Sequence, residues 1–80
     1  MVKFYPNPAT TNINFELQRA LDKSYSLQIF NFMGKKVLEM TPSSQRLNLQ
    51  LSGLYRGVYV FQLRDKSGKI FDSGRFQIIR

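Results

Sequence analysis

The chain contains neither cysteine nor histidine. Without cysteine there is no disulfide to hold the fold and no thiolate metal site. Without histidine the commonest general base and the commonest metal ligand are missing. Acids are scarce as well: Glu16, Asp22, Glu39, Asp65 and Asp72 stand against 12 lysines and arginines. No serine lies in a Gly-x-Ser-x-Gly elbow, and no base is present to activate one. Paired-carboxylate hydrolysis needs two acids facing across a cleft, whereas Asp22 and Asp65 sit in connections, their ordinary place. The glycines never cluster into a phosphate cradle, and no loop carries the spaced oxygen ligands of a calcium site. The sequence therefore reads as a non-enzyme with no cofactor and no metal.

Long apolar runs are also absent. Nothing approaches the ~20 residues of a membrane-crossing helix, so the chain is not read as membrane-spanning. Met1 is followed at once by the strand-like Val2, Lys3, Phe4 and Tyr5, which leaves no room for a leader. Residues 1–80 read as a single domain excised from a larger secreted polypeptide, with Met1 an added start.

What is present is a basic, apolar-rich sequence. Hydrophobic residues make up 42% and aromatic residues 14% of 80 positions, and the net charge is +7. That composition folds without staples and is too apolar for a disordered tail. Positive charge speeds encounter with any polyanion: nucleic acid, anionic lipid or lipopolysaccharide. Yet the charges are spread, and the longest basic run is Lys35-Lys36, so most of them read as a solvated surface. Tyr55, Arg56, Tyr59, Phe61 and Arg64 lie close in sequence, as a single-strand-binding groove would need. The spacing of Tyr59 and Phe61 instead fills a core face, and no nucleic-acid partner is expected.

Period-two alternation dominates. Leu47, Leu49 and Leu51 share one face of a half-buried strand, and Tyr25, Leu27 and Ile29 share another. The parity then switches at Phe30 and Phe32, which predicts a bulge near Ile29–Phe30 or burial on both faces. Residues 12–17 alternate as well. Residues 58–63 are apolar on both faces and read as a central strand covered on both sides, or as one paired at a crowded position. Lys36–Met40 is a shorter strand, and residues 76–79 form a closing one. Residues 32–35 and 65–68 are glycine turns, the second a type I turn closed by a glycine bulge. Residues 41–44 and 52–57 are loops, and Gly74 suggests a kink or bulge. Residues 18–23 have helical propensity but are too few for a stable helix, so they read as a loop or single turn. Six or seven short strands with turns between them make a β-sandwich or small barrel, with Leu47, Leu49, Leu51, Tyr25, Leu27, Ile29, Tyr59, Phe61 and Leu63 facing one core.

Tyr5-Pro6-Asn7-Pro8-Ala9-Thr10 is an unusual opening, a stiff exit from a strand in which proline fixes φ and donates nothing. With Ile13 and Phe15 after it, it is the first of four elements that resemble the C-terminal sorting domain of proteins exported by the type IX secretion system of Bacteroidota. The second element is the Gly34 hairpin over residues 27–37. The third is Leu49 to Tyr59, similar to the family's Leu-x-x-Gly-x-Tyr element and containing Gly57 and Tyr59. The fourth is a final strand ending at Arg80. Where many members carry lysine in that strand, this chain has Arg75.

The resemblance implies an immunoglobulin-like β-sandwich of about seven short antiparallel strands. It implies an export address read by the type IX translocon at the outer membrane, followed by removal by a sortase-like peptidase. The cargo is then attached at the cell surface, in contact with anionic lipopolysaccharide, or released; the route is periplasm first, then cell surface or medium. Pro6, Asn7, Pro8, Gly34, Gly57, Tyr59, Arg75, Phe76, Ile78, Ile79 and Arg80 are the candidate recognition residues. Gly57 is expected to serve backbone geometry at a strand entry and Tyr59 to serve packing, while residues 76–80 are the expected export handle. A carbohydrate- or surface-binding β-sandwich module is the alternative. Open strand edges near either terminus predict weak self-association.

Overall fold

Among the described residues, seven strands in two sheets account for the alternating sequence, with one side of each strand turned toward a shared core. The computed structural model describes residues 2–18 and 24–80; the loop or single turn expected over residues 18–23 falls, apart from Gln18, outside them. The strands are β1 (Lys3–Tyr5), β2 (Asn12–Glu16), β3 (Ser26–Asn31), β4 (Lys36–Met40), β5 (Arg46–Gln50), β6 (Gly57–Arg64) and β7 (Ile70–Ile78). One sheet has the order β1-β2-β5 and the other β4-β3-β6-β7. All named pairings are antiparallel. Strands that leave one sheet for the other and return in this order build an immunoglobulin-like sandwich.

The two leucine-rich patterns pack as expected. Leu47, Leu49 and Leu51 meet Leu27, Ile29, Tyr59, Phe61 and Leu63 in the core, together with Ile13, Phe15, Phe76 and Ile78. Phe15 stands at its centre, edge-on to Phe61 at 5.1 Å and to Phe76 at 6.3 Å. Tyr25 packs against this core only from its margin. It precedes β3, is only half-buried, and packs edge-on against Phe71 at 5.7 Å.

Four details differ from the sequence reading. The irregularity at Ile29/Phe30 exists, but its extra residue is Val37 on the partner strand: Ile29 faces Leu38 and Phe30 faces Lys36. β3 itself runs unbroken against β6, so Phe30 simply points to the outer face. β6 is central in hydrogen bonding but covered on one face only, since Val58 is 39% exposed and Val60 half-buried. β7 is longer than expected, beginning at Ile70 and ending before Ile79. Gly74 makes no kink. It is a close-approach site, where a Cβ would stand 2.5 Å from Cε2 of Phe61, and the register shift in β7 lies near Phe71 instead.

The outer face of the three-stranded sheet is a band of amides that satisfy one another. The Asn48 amide donates to Asn14 at 2.9 Å and to Asn12 at 3.2 Å, and Gln50 donates to Asn48 at 3.0 Å. Such same-face pairs across strands stabilise the sheet modestly.

Candidate functional site

Register places most of the motif residues at one end of the sandwich. β6 starts with Gly57 opposite Ile78, and Tyr59 stands opposite both Phe76 and Asn31. The end of β3 and its Gly34 turn, the start of β6 and the end of β7 therefore lie together. On the other sheet the exit from β1 and the end of β5 lie at the same end, linked by the Leu51 N–H to the Thr11 carbonyl at 2.9 Å.

The Pro6-Asn7-Pro8 segment carries the chain from one sheet to the other. β1 pairs with β2, and Ala9 then forms a parallel bridge with Ile78 of β7. The Tyr5-Pro6 and Asn7-Pro8 bonds are both cis. Neither proline has an N–H to give to a neighbouring strand. The Asn7 side chain fills that gap. Its Oδ1 accepts from the Gln77 N–H at 3.0 Å and its Nδ2 donates to the Arg75 carbonyl at 3.5 Å. Ala9 continues the ladder, donating to the Gln77 carbonyl and accepting from the Ile79 N–H, each at 2.8 Å. The last half of β7, a bare edge by strand order, is thus covered by residues 7–9. At the other end of this seam the Val2 N–H donates to the Asp72 carboxylate at 2.6 Å.

Gly57 and Tyr59 belong to a compact corner between β5 and β6. The Leu54 N–H donates to the Leu51 carbonyl at 2.9 Å, which turns the chain. Gly57 then takes φ +146°, a conformation hostile to side chains. Tyr59 is buried, stacks on Phe76 at 5.8 Å and donates its hydroxyl to the Tyr55 carbonyl at 2.6 Å. A tyrosine near the start of this strand, bonded back to the preceding loop, is a known device of immunoglobulin-like sandwiches. The expected packing role was legible in the sequence; the hydroxyl bond was not, although the loop length between Tyr55 and Tyr59 is its signal.

The terminal strand divides. Phe76 and Ile78 are buried, whereas Ile79 is 44% exposed and Arg75 is exposed. The Arg80 guanidinium reaches back to the Leu51 carbonyl at 2.9 Å and the Thr10 carbonyl at 3.2 Å. Residues 79 and 80 therefore do more than trail from the core; they tie three segments together. Gly34 shares this end at φ +86°, where it serves its own hairpin.

Two shallow grooves open here. One, of about 550 Å³, is lined by residues 52–56 and Arg80. The other, of about 170 Å³, is lined by Asn7, Val58, Arg75, Phe76 and Gln77. The charge at this end is one-sided. Lys35, Arg56, Arg75 and Arg80 are exposed around it. Among the described side-chain carboxylates, Glu16 closes the far end of β2, Asp65 and Asp72 flank the far hairpin, and Glu39 is held by Lys36 at 2.5 Å. No described group of three or more acidic, histidine or cysteine side chains could hold a metal ion. No described helix is long and apolar enough to cross a membrane.

Comparison with known proteins agrees with this geometry. A family model described as "Secretion system C-terminal sorting domain" matches residues 3–74. Comparison by sequence with curated proteins returns no match. Among solved structures, a chain from a study of PorZ is similar over 99% of this chain, with TM-score 0.78 and 22% identity. PorZ is described as an essential bacterial surface component of the type-IX secretion system of Porphyromonas gingivalis. The match spans 11% of that larger chain, and at this identity it speaks for the fold. Because the family model matches residues 3–74, which hold three of the four sequence elements and end just before Arg75–Arg80, the chain belongs to the secretion system C-terminal sorting domains.

Proposed function

We propose that this domain is the export address of a larger cargo protein, of which residues 1–80 are the C-terminal sorting domain. The address is read by the type IX translocon through the motif end of the sandwich. The observation that carries this reading is the convergence of the Pro6-Asn7-Pro8 seam, the Gly57–Tyr59 corner and the Arg75–Arg80 strand on one basic end. Motif residues with a packing or backbone job (Asn7, Gly57, Tyr59, Phe76 and Ile78) build that end. Exposed ones (Pro6, Pro8, Arg75, Ile79 and Arg80) are the surface a receptor touches. The domain works by being bound, not by catalysis. Its cargo passes through the periplasm, loses the domain to a sortase-like peptidase, and is attached at the cell surface beside anionic lipopolysaccharide or released.

The test is a fusion of the domain to a periplasmic reporter in a type IX host, scored for reporter outside the cell. A soluble tag after Arg80 and an Arg75→Glu variant should each hold the reporter in the periplasm while the melting temperature stays at the wild-type value. Wild-type export by both folded variants would overturn the assignment of the reading surface. Failure of the unmodified domain to export the reporter would overturn the sorting reading itself.

Strand edges set the remaining partner. With the end of β7 covered by residues 7–9, the open edge near a terminus is β1, and weak self-association is assigned to it. Sedimentation should show a monomer that dimerises weakly on concentration, and a strict monomer at high concentration removes this contact.

A further inference from the structure

The domain builds the same hairpin turn twice, with opposite chemistry at the apex. In the β3–β4 turn the Gly34 N–H donates to the Asn31 carbonyl at 2.9 Å, and the Asn31 N–H donates to the Lys35 carbonyl at 2.9 Å. The Asn31 side-chain oxygen accepts from the Met33 and Lys35 N–H groups, each at 3.0 Å. In the β6–β7 turn Gly68 donates to Asp65 at 2.9 Å and Asp65 to Lys69 at 3.0 Å. There the Asp65 carboxylate accepts from the Ser67 and Lys69 N–H groups at 2.9 and 3.0 Å. Gly34 and Gly68 take φ +86° and +87°. The turn therefore needs an acceptor side chain first and glycine fourth; in the second turn the apex Ser67 hydroxyl adds a bond to Asp65 at 2.7 Å, whereas the apex side chains of the first add none. The second turn places Lys66 and Ser67 at its apex, as solvent favours. The first places Phe32 and Met33, 78% and 80% exposed.

Those two side chains contribute nothing to turn geometry and little to the core, so their placement calls for another reason. They cap a rigid projection instead of lying in a flat patch. The apolar surface continues from Phe32 into a shallow groove lined by Phe30 and Val60. Lys35 follows directly, Lys36 after it is paired with Glu39 at 2.5 Å, and the same end of the sandwich bears the exposed Arg56, Arg75 and Arg80. An aromatic and a thioether at an exposed hairpin tip, with Lys35 beside them and arginines on the same end of the sandwich, match the boundary of an anionic lipid layer, where apolar groups reach the acyl chains while cations stay among the headgroups.

We propose that the Phe32–Met33 tip is a membrane-interface wedge that docks the domain onto an anionic lipid surface. This goes beyond the sorting reading and is tested without a secretion host, so its failure leaves that reading untouched. The chain has no tryptophan, so Phe32→Trp supplies a single reporter at the tip. With vesicles of equimolar phosphatidylglycerol and phosphatidylcholine, its emission should move to the blue and be quenched by brominated acyl chains. The charge-neutral double variant Phe32→Ser/Met33→Ser should partition onto these vesicles at least about tenfold more weakly than wild type. Lys35→Ser should weaken partition about fivefold. Both variants should melt at the wild-type temperature, because the Asp65 turn folds with polar residues at the same places. Wild-type partition by the double serine variant, or equal binding to pure phosphatidylcholine, overturns the proposal. An unshifted emission with vesicles, together with a blue shift on adding solubilised outer-membrane protein, overturns the lipid assignment and gives the tip to a protein pocket.

Discussion

The phenol of Tyr59 donates a 2.6 Å hydrogen bond to the carbonyl oxygen of Tyr55, four residues back along the chain. One side chain thereby fills the core beneath β7 and fastens the corner through which the chain crosses between sheets. The bond separates two roles that a single alanine substitution would merge. Tyr59→Phe keeps the ring and should cost about 0.5–1.5 kcal/mol, the net worth of one hydrogen bond. Tyr59→Ala empties the site and should cost ~3–5 kcal/mol, in line with other large aromatic truncations. Denaturant unfolding measures both. Export that fails in Tyr59→Phe while the domain remains folded would give the hydroxyl, or the corner it holds, a part in recognition.

Asn7 acts as a piece of strand. Its amide bonds the Gln77 N–H and the Arg75 carbonyl, while the neighbouring prolines cannot donate. Asn7→Ala should leave the fold intact, because Ala9 still holds the Gln77 carbonyl and the Ile79 N–H. The Gln77 amide should exchange with solvent about fivefold faster, the equivalent of one lost bond. Residue-resolved hydrogen exchange reads this directly, and an unchanged Gln77 rate would mean that water replaces the side chain at no cost.

Gly74 and Gly53 make a matched pair. A Cβ on Gly74 would meet the Phe61 ring at 2.5 and 2.8 Å and the Phe4 ring at 3.1 Å, whereas nothing lies within 4 Å of one on Gly53. Gly74→Ala should cost about 1–3 kcal/mol by overpacking. Gly53→Ala should be neutral to slightly stabilising, since it only restricts the unfolded chain. Equal melting temperatures for the two variants would mean that Phe61 and Phe4 shift freely.

Acid should loosen the domain. The Ser67 hydroxyl and the backbone N–H groups of Lys69 and Ser67 hold the Asp65 carboxyl below its ordinary value, and Lys36 with Ser26 does the same for Glu39. A carboxyl lowered on folding adds stability that is complete above its unfolded pKa of about 4. That stability is lost as pH falls through the lower folded value. Melting temperature should therefore be level near neutrality and decline below about pH 4. Asp65→Asn should fold, because Asn31 already performs this job in the twin turn, and the decline should be shallower in that variant. An identical acid profile would remove Asp65 from the account.

Period-two patterning was enough to set most of the strands, the all-β class and most of the core, because a strand with one face in water must alternate, while the choice between sandwich and barrel came from the family resemblance. Leu47, Leu49 and Leu51 could face only one way. The four motif elements pointed to the family for a different reason: their glycines, prolines and tyrosine occupy positions where backbone and corner geometry admit few substitutes. Other features depended on approach between distant segments. Gly74 carries no local mark that distinguishes a bulge from the space needed by the Phe61 ring. The outer face of β6 looked buried because valine suits a strand whether or not anything covers it. The covering of β7 by Asn7 and Ala9, and the reach of Arg80 to Thr10 and Leu51, join residues some seventy and thirty positions apart. Alternation within a strand says which side chains turn inward, but which backbone lies along an edge is decided only when the two sheets close on each other.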